Sequence, residues 1–205
     1  MDVNKYIEQF IAIKNPILQA ISREEQTRND IQPDVGIHVG TFLALMIRIM
    51  NAKKVLEIGT CLGYSTIFLA EALKDTNGKL ISIELNPDLA DTTRKNIHDA
   101  GLSDIAQVQC GDASLLINQI DGEFDLILQD SDKTLYPKML DACVDKLRML
   151  GILVADDTLF YPMGIAEKFS KPMDEYNKKV FADPRLKSTI LPIGDGITVS
   201  VKISF

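Results

Sequence analysis

Apolar positions along this chain recur with two different periods. They fall at helical spacing through "NKYIEQFIAI". A second helical stretch, "NPILQAISREEQTRND", restarts after Asn15-Pro16 and runs out in polar residues. "IQPDVGIHVG" carries Pro33, Gly36 and Gly40 and reads as a loop leading into a helix over "TFLALMIRIMN". Beyond Lys53 the pattern becomes regular. Strands are expected at "KVLEIG", "KLISIEL", "IAQVQCGD", "FDLILQD" and "ILVADD". Between them lie helices at "YSTIFLAEAL", "PDLADTTRKNIHDAG", a short one around "SLLINQI", and "LYPKMLDACVDKLRMLG". Strand and helix in turn imply βαβ units with right-handed crossovers and a mostly parallel sheet. "VLEI", and much of "LILQ" and "ILVA", are unbroken apolar runs, as in strands covered on both faces. The end breaks the alternation. A helix near "GIAEKFSKPMDEYNKKVF" precedes two β-rich runs that flank Gly194-Asp195-Gly196, a hairpin signal. A dinucleotide dehydrogenase would more often continue with parallel units.

Composition narrows the class. The 205 residues suit one α/β domain, with N-terminal helices and a loop over 1–50 and the sheet core over 53–205. Apolar residues at 46% and charged ones at 25% fit a soluble globular protein. A net charge of −7 with no basic run disfavours nucleic acid as a partner. No apolar stretch is long enough to cross a bilayer, and "MDVNKYIEQF" does not read as a secretion signal. Cys61, Cys110 and Cys143 are odd in number, widely spaced and set among apolar neighbours. They read as reduced thiols of a cytoplasmic protein rather than a disulfide frame or metal site.

"VLEIGTCLGYST" joins the first sheet strand to a helix, where doubly wound sheets bind ligands. Gly59 and Gly63 let the backbone turn sharply, but the spacing is G-x-x-x-G and not the dinucleotide G-x-G-x-x-G. A tight structural turn and a binding loop both fit it. Glu84 ends the second strand, where an acid can accept from both hydroxyls of a ribose. Asp112 ends the third strand, within reach of an adenine. Glu57 lies inside an apolar run and needs partners: a cofactor ammonium, or backbone N–H groups.

"EIGTCLGYST", "SIEL", "CGDA", "QDSDK", "ADDTL" and "LPIGDGIT" occur in the order and spacing of the cation-dependent O-methyltransferases. From about Val35 to the C-terminus the chain resembles this family of catechol and caffeoyl-CoA O-methyltransferases and their small bacterial relatives. The resemblance implies a class I methyltransferase fold, Rossmann-like, with a seven-stranded sheet ending in an antiparallel hairpin. It implies S-adenosylmethionine as cofactor. Glu57, Gly59, Gly63 and Ser65 would surround the methionine part, Glu84 the ribose, and Asp112 with Ala113 the adenine. Val35 would hold the cofactor carboxylate through its backbone. Asp130 joins the cofactor set and the catalytic set. The resemblance also implies a homodimer packed through the first helices.

Asp130 ends the fourth strand; Asp156 and Asp157 end the fifth. Neighbouring strands lie about 4.8 Å apart, so these carboxylates can converge on one rim of the sheet. Three clustered acids repel unless a cation sits among them, and an all-oxygen set suits Mg²⁺, or Mn²⁺ or Ca²⁺. Solvated loop acids are the alternative reading, and the resemblance favours the metal. The family usually has Asn where this chain has Asp157, which bears on the identity of the ion. Asp132 reads as a solvent-facing or supporting acid. Lys133 matches the family's lysine beside the substrate hydroxyl, as base or as orienting group. His38 falls in the loop before Gly40, at the cofactor entrance or with no role; His98 lies on a polar helix face; Tyr136 and Tyr161 could line a substrate pocket, though packing is the simpler reading. "PMGIAEKF" lies at the family's variable substrate loop, with no basic cluster suited to a CoA phosphate. These readings converge on methyl transfer to a small catechol-like phenol with adjacent hydroxyls. A nicotinamide-dependent oxidoreductase and a non-catalytic cofactor-binding protein are the alternatives.

Overall fold

The structure is a computed structural model and describes residues 3–11, 13 and 15–204. Its first elements are α1 (Val3–Glu8), α2 (Pro16–Glu25) and α3 (Gly36–Met50). The core follows as β1 (Lys54–Ile58), α4 (Tyr64–Thr76), β2 (Lys79–Glu84), α5 (Pro87–Asp99), β3 (Ala106–Cys110), α6 (Ala113–Leu116), β4 (Phe124–Gln129) and α7 (Tyr136–Lys146). It closes with β5 (Leu147–Ala155), α8 (Glu167–Ala182), β6 (Leu186–Leu191) and β7 (Ile197–Lys202).

Asn15 and Asn86 start α2 and α5, each accepting a backbone N–H on its side chain one residue before a proline at the first helical turn. α1 stops at Glu8, short of the expected helix, whose Ala12 lies outside the described residues. α3 begins at Gly36, so the segment read as a loop up to Gly40 is already helix, and His38 sits on that helix with Nε2 3.4 Å from Glu8 Oε1. The expected helix through Gly151 instead ends at Lys146. Leu147 opens β5, pairing with Phe124 across a register shift.

The seven strands lie in the order β3-β2-β1-β4-β5-β7-β6, with β7 antiparallel to both its neighbours and the remaining pairs parallel. Residues alternate between two cores. Val55, Leu126, Leu128 and Val154 face the side of α3, α4 and α5, while Leu56, Ile58, Ile127 and Leu153 face α7 and α8. Both faces are therefore dry, which is why these strands are apolar runs. The chain leaves β1 toward β2 and β3, then returns to place β4 on the other side of β1. The crevice at the carboxyl ends of β1 and β4 is thus the topological switch point. No helix among the described residues is long and apolar enough to cross a membrane.

Candidate active site

Sheet register decides what meets at this rim. Ile58 is paired with Gln129, and Gln129 with Ala155. The next residues continue the ladder: Asp130 N–H donates to Ile58 O at 2.9 Å, and Asp156 N–H to Gln129 O at 3.2 Å. Asp130 and Asp156 are neighbours for that reason. Asp157 follows in the left-handed region, φ 63°, with its N–H donating to Asp156 Oδ1 at 2.9 Å. That bend turns the Asp157 carboxylate toward Lys133, whose Nζ lies 2.6 Å from Asp157 Oδ2, 3.2 Å from Asp130 Oδ1 and 3.2 Å from Tyr136 Oη. Lys133 is buried, and the rings of Tyr136 and Phe160 flank its ammonium with centroids at 5.1 and 5.9 Å. Burial works against the charge on Lys133, but the oxygens of Tyr136, Asp130 and Asp157 outweigh it and hold the amine protonated. Burial, then Asp130 and Asp157, drive the Asp156 carboxyl well above the usual carboxylate range. Asp157 is raised too, by burial first.

The β1–α4 loop forms the next wall. Gly59 has φ 92°, and a Cβ there would stand 1.9 Å from Asp130 O, so strand end and loop can touch only through glycine. Gly63, at φ 88°, opens α4 where a Cβ would meet Thr93 Cγ2 at 2.9 Å. Glu84 reaches across from β2. Its Oε2 accepts from Thr60 N at 3.0 Å and Cys61 N at 3.1 Å, and its Oε1 from Asn86 N at 2.9 Å. Asp112 caps α6 by accepting Ser114 N at 2.8 Å, a bond that with the Ser114 hydroxyl lowers its pKa.

These groups surround a cavity of about 480 Å³. Val35, Gly59, Ser65, Glu84, Asp112, Ala113, Asp130, Lys133 and Asp157 line it; Glu57, Gly63 and Asp156 stand behind its wall. Glu57 requires a correction. Its partners within the chain are not backbone N–H groups but three hydroxyls, Ser65 Oγ at 2.5 Å, Thr66 Oγ1 at 2.6 Å and Ser82 Oγ at 2.7 Å. It is fully buried, which pushes its pKa up to about 7 against those three bonds. Glu57 therefore fixes Ser65, and Ser65 meets the cavity. Sequence reasoning missed Glu25 and Asp34, which close the cavity from α2 and from the loop before α3. Asp34 N–H donates to Glu25 Oε1 at 3.0 Å, and burial with Glu25 pushes the Asp34 carboxyl up to about 8. No motif in the sequence singles them out.

The O-methyltransferase family model matches residues 8–203. The chain belongs to the O-methyltransferase family. Among curated relatives, caffeoyl-CoA O-methyltransferase 1 of Eucalyptus globulus is 31% identical over 80% of this chain and 73% of that protein. Catechol O-methyltransferase of Niastella koreensis is 30% identical over 92% of this chain and 89% of that protein. Among solved structures, the O-methyltransferase of Bacillus cereus in complex with SAH superposes with a TM-score of 0.85 at 26% identity, over 98% of this chain and 96% of that one. The family's fold accounts for the terminal hairpin that a dehydrogenase sheet would lack.

The carboxylates suit a hard divalent ion in kind and in charge. With all three acids ionised beside the ammonium the net charge would be −2, which one such ion would balance, and its charge would offset the burial that favours their protonated forms. Their present geometry is not a finished ligand set: among the described residues no three acidic, histidine or cysteine side chains converge as one metal site. Asp157 faces Lys133 instead. Asp132 caps the 3₁₀ turn Lys133–Leu135 and stays at the surface. Tyr136 is fully buried and, beyond packing, meets Lys133 through its Oη, whereas Tyr161 is 56% exposed.

Proposed function

We propose that this protein is an O-methyltransferase that uses S-adenosylmethionine and a divalent cation to methylate a small phenol with adjacent hydroxyls. The observation that carries it is the union in one cavity of the Glu84–Ser65 wall and the Asp130–Lys133–Asp157 cluster. Glu84 would accept the ribose hydroxyls, Asp112 and Ala113 would border the adenine, and Ser65 with Val35 would meet the methionine end. Val35 opens the 15-residue helix α3, whose N-terminal dipole favours a carboxylate. Asp130, Asp156 and Asp157 would hold the cation.

When bound, the sulfonium donor supplies the methyl group and the cation supplies Lewis-acid stabilisation of the phenolate. The protein's own contribution is placement: Asp130 stands at the junction of the two halves, and the buried Lys133 ammonium offers positive charge to the acceptor oxygen. The acceptor hydroxyl would release its proton to solvent, its oxygen would form the new O–CH3 bond as the S–CH3 bond breaks, and the sulfur would leave as a neutral thioether.

The lining argues for a small neutral acceptor. Eight acidic residues and one lysine line the cavity, a balance of charge that disfavours the phosphates of a CoA thioester. The test is methyl transfer from S-adenosylmethionine to catechol and to caffeoyl-CoA, with and without EDTA. Catechol turnover that EDTA abolishes and Mg²⁺ or Mn²⁺ restores is the expected result. Full activity after metal removal overturns the cation requirement, and a preference for the thioester overturns the acceptor class.

A further inference from the structure

We propose that Lys133 is a built-in counter-cation that competes with the divalent ion for Asp157, so that ion binding breaks the Lys133–Asp157 pair and turns the amine into the cavity. This rests on the cation reading above. Three observations carry it. The shortest contact of the Lys133 ammonium is to Asp157, at 2.6 Å, against 3.2 Å to Asp130. The ammonium is nearly closed off from solvent, with 6% of its side chain exposed, so its charge is matched by these carboxylates and not by water. And Asp157, a left-handed residue at φ 63°, gives its carboxylate to the lysine, while among the described residues no three acidic side chains stand together as one ligand set.

The residue type matters. An asparagine here could give an ion an amide oxygen but could not hold an ammonium by charge. Asp157 can do both, one at a time. Asp130 Oδ1 and Tyr136 Oη, each 3.2 Å from Nζ, are the partners left to the ammonium once Asp157 is withdrawn. The exchange links ion binding to exposure of the amine at the place where an acceptor oxygen would sit.

The test is calorimetric titration of the metal-free full chain with MnCl₂, for wild type, Lys133→Met, Asp157→Asn and the double variant. Lys133→Met is expected to bind Mn²⁺ about tenfold tighter than wild type, and that gain is expected to shrink to less than about threefold in the Asp157→Asn background. An unchanged or weakened affinity in Lys133→Met overturns the proposal. So does an equal gain in both backgrounds, which would make the lysine a through-space repulsion only. Those results leave the cation reading standing; if neither wild type nor Lys133→Met binds Mn²⁺, both fall together. A second measurement needs no variant. Reductive methylation of Lys133, followed by mass spectrometry of the wild-type protein, should speed up at least severalfold when Mn²⁺ is added, and an unchanged or slower rate overturns the exchange.

Discussion

Glu57 is a carboxyl that the fold would rather keep neutral. It is fully buried, and burial lifts its pKa from 4.5 to about 7 even though three hydroxyls donate to it. At about 1.4 kcal/mol per pH unit, that difference corresponds to roughly 3 kcal/mol. Between pH 4.5 and 7 the folded chain holds a proton that the unfolded chain has released. The associated stability is full below pH 4.5 and is lost as pH rises through about 7. Glu57→Gln removes the titration and keeps the shape. A glutamine can serve the hydroxyls of Ser65, Thr66 and Ser82 if some of them turn to accept, so the variant should match wild type within about 1 kcal/mol at pH 5. At pH 8 it should be the more stable protein, by up to roughly 3 kcal/mol. The assay is urea unfolding of the cofactor-free protein at pH 5, 6.5 and 8. The pH 8 midpoint of the variant should lie about 1 M or more above wild type. Asp34, whose carboxyl is pushed up to about 8, gives both proteins a decline in the same direction, so only their difference reports on Glu57. A variant whose stability falls with pH as steeply as wild type would refute the reasoning.

Three further outcomes follow from single contacts. Gly59→Ala places a Cβ 1.9 Å from Asp130 O at φ 92°, so it should cost more than about 3 kcal/mol; a melting temperature within a few degrees of wild type contradicts that. Glu84→Ala removes the acceptor for the N–H groups of Thr60, Cys61 and Asn86 and should weaken S-adenosylhomocysteine at least about tenfold by calorimetry, while undiminished affinity would remove Glu84 from the cofactor wall. Arg185 ties the start of β6 to Asp183 at 2.7 Å and to Asp141 on α7 at 2.5 Å, far from the cavity. Arg185→Ala should cost about 1 kcal/mol of stability, less in high salt, and leave KM for catechol unchanged. A changed KM would show that this corner couples to the site.

Sequence legibility followed the range of the interactions involved. The strands of the core were readable because burial on both faces leaves little but apolar side chains, as in Leu126–Leu128. The hairpin was readable from its turn. The start of α3 was not, because Gly40 looks like a breaker. Its role is tertiary: a Cβ at Gly40 would meet the Phe68 ring at 2.8 Å, so glycine there lets α3 pack on α4. The end of α7 was misjudged for a similar reason. "LRML" has helical spacing, but Leu147 pairs with Phe124, and that partner lies far away in the chain.

The same division runs through the site. Asp130 and Asp156 were legible because register leaves them no freedom: once Gln129 pairs with Ala155, the residues that follow must stand side by side. Side-chain partners obey no such rule. Nothing in the order of residues says that Asp157 will turn to Lys133, or that Glu57 will collect three hydroxyls rather than backbone N–H groups. Glu25 and Asp34 face the cavity only because α2 and the loop before α3 fold over the rim, a placement set by packing rather than by strand order. A motif therefore fixes which acids stand together at this rim of the sheet. Which carboxylate balances which cation is decided by rotamers and by one left-handed residue at position 157.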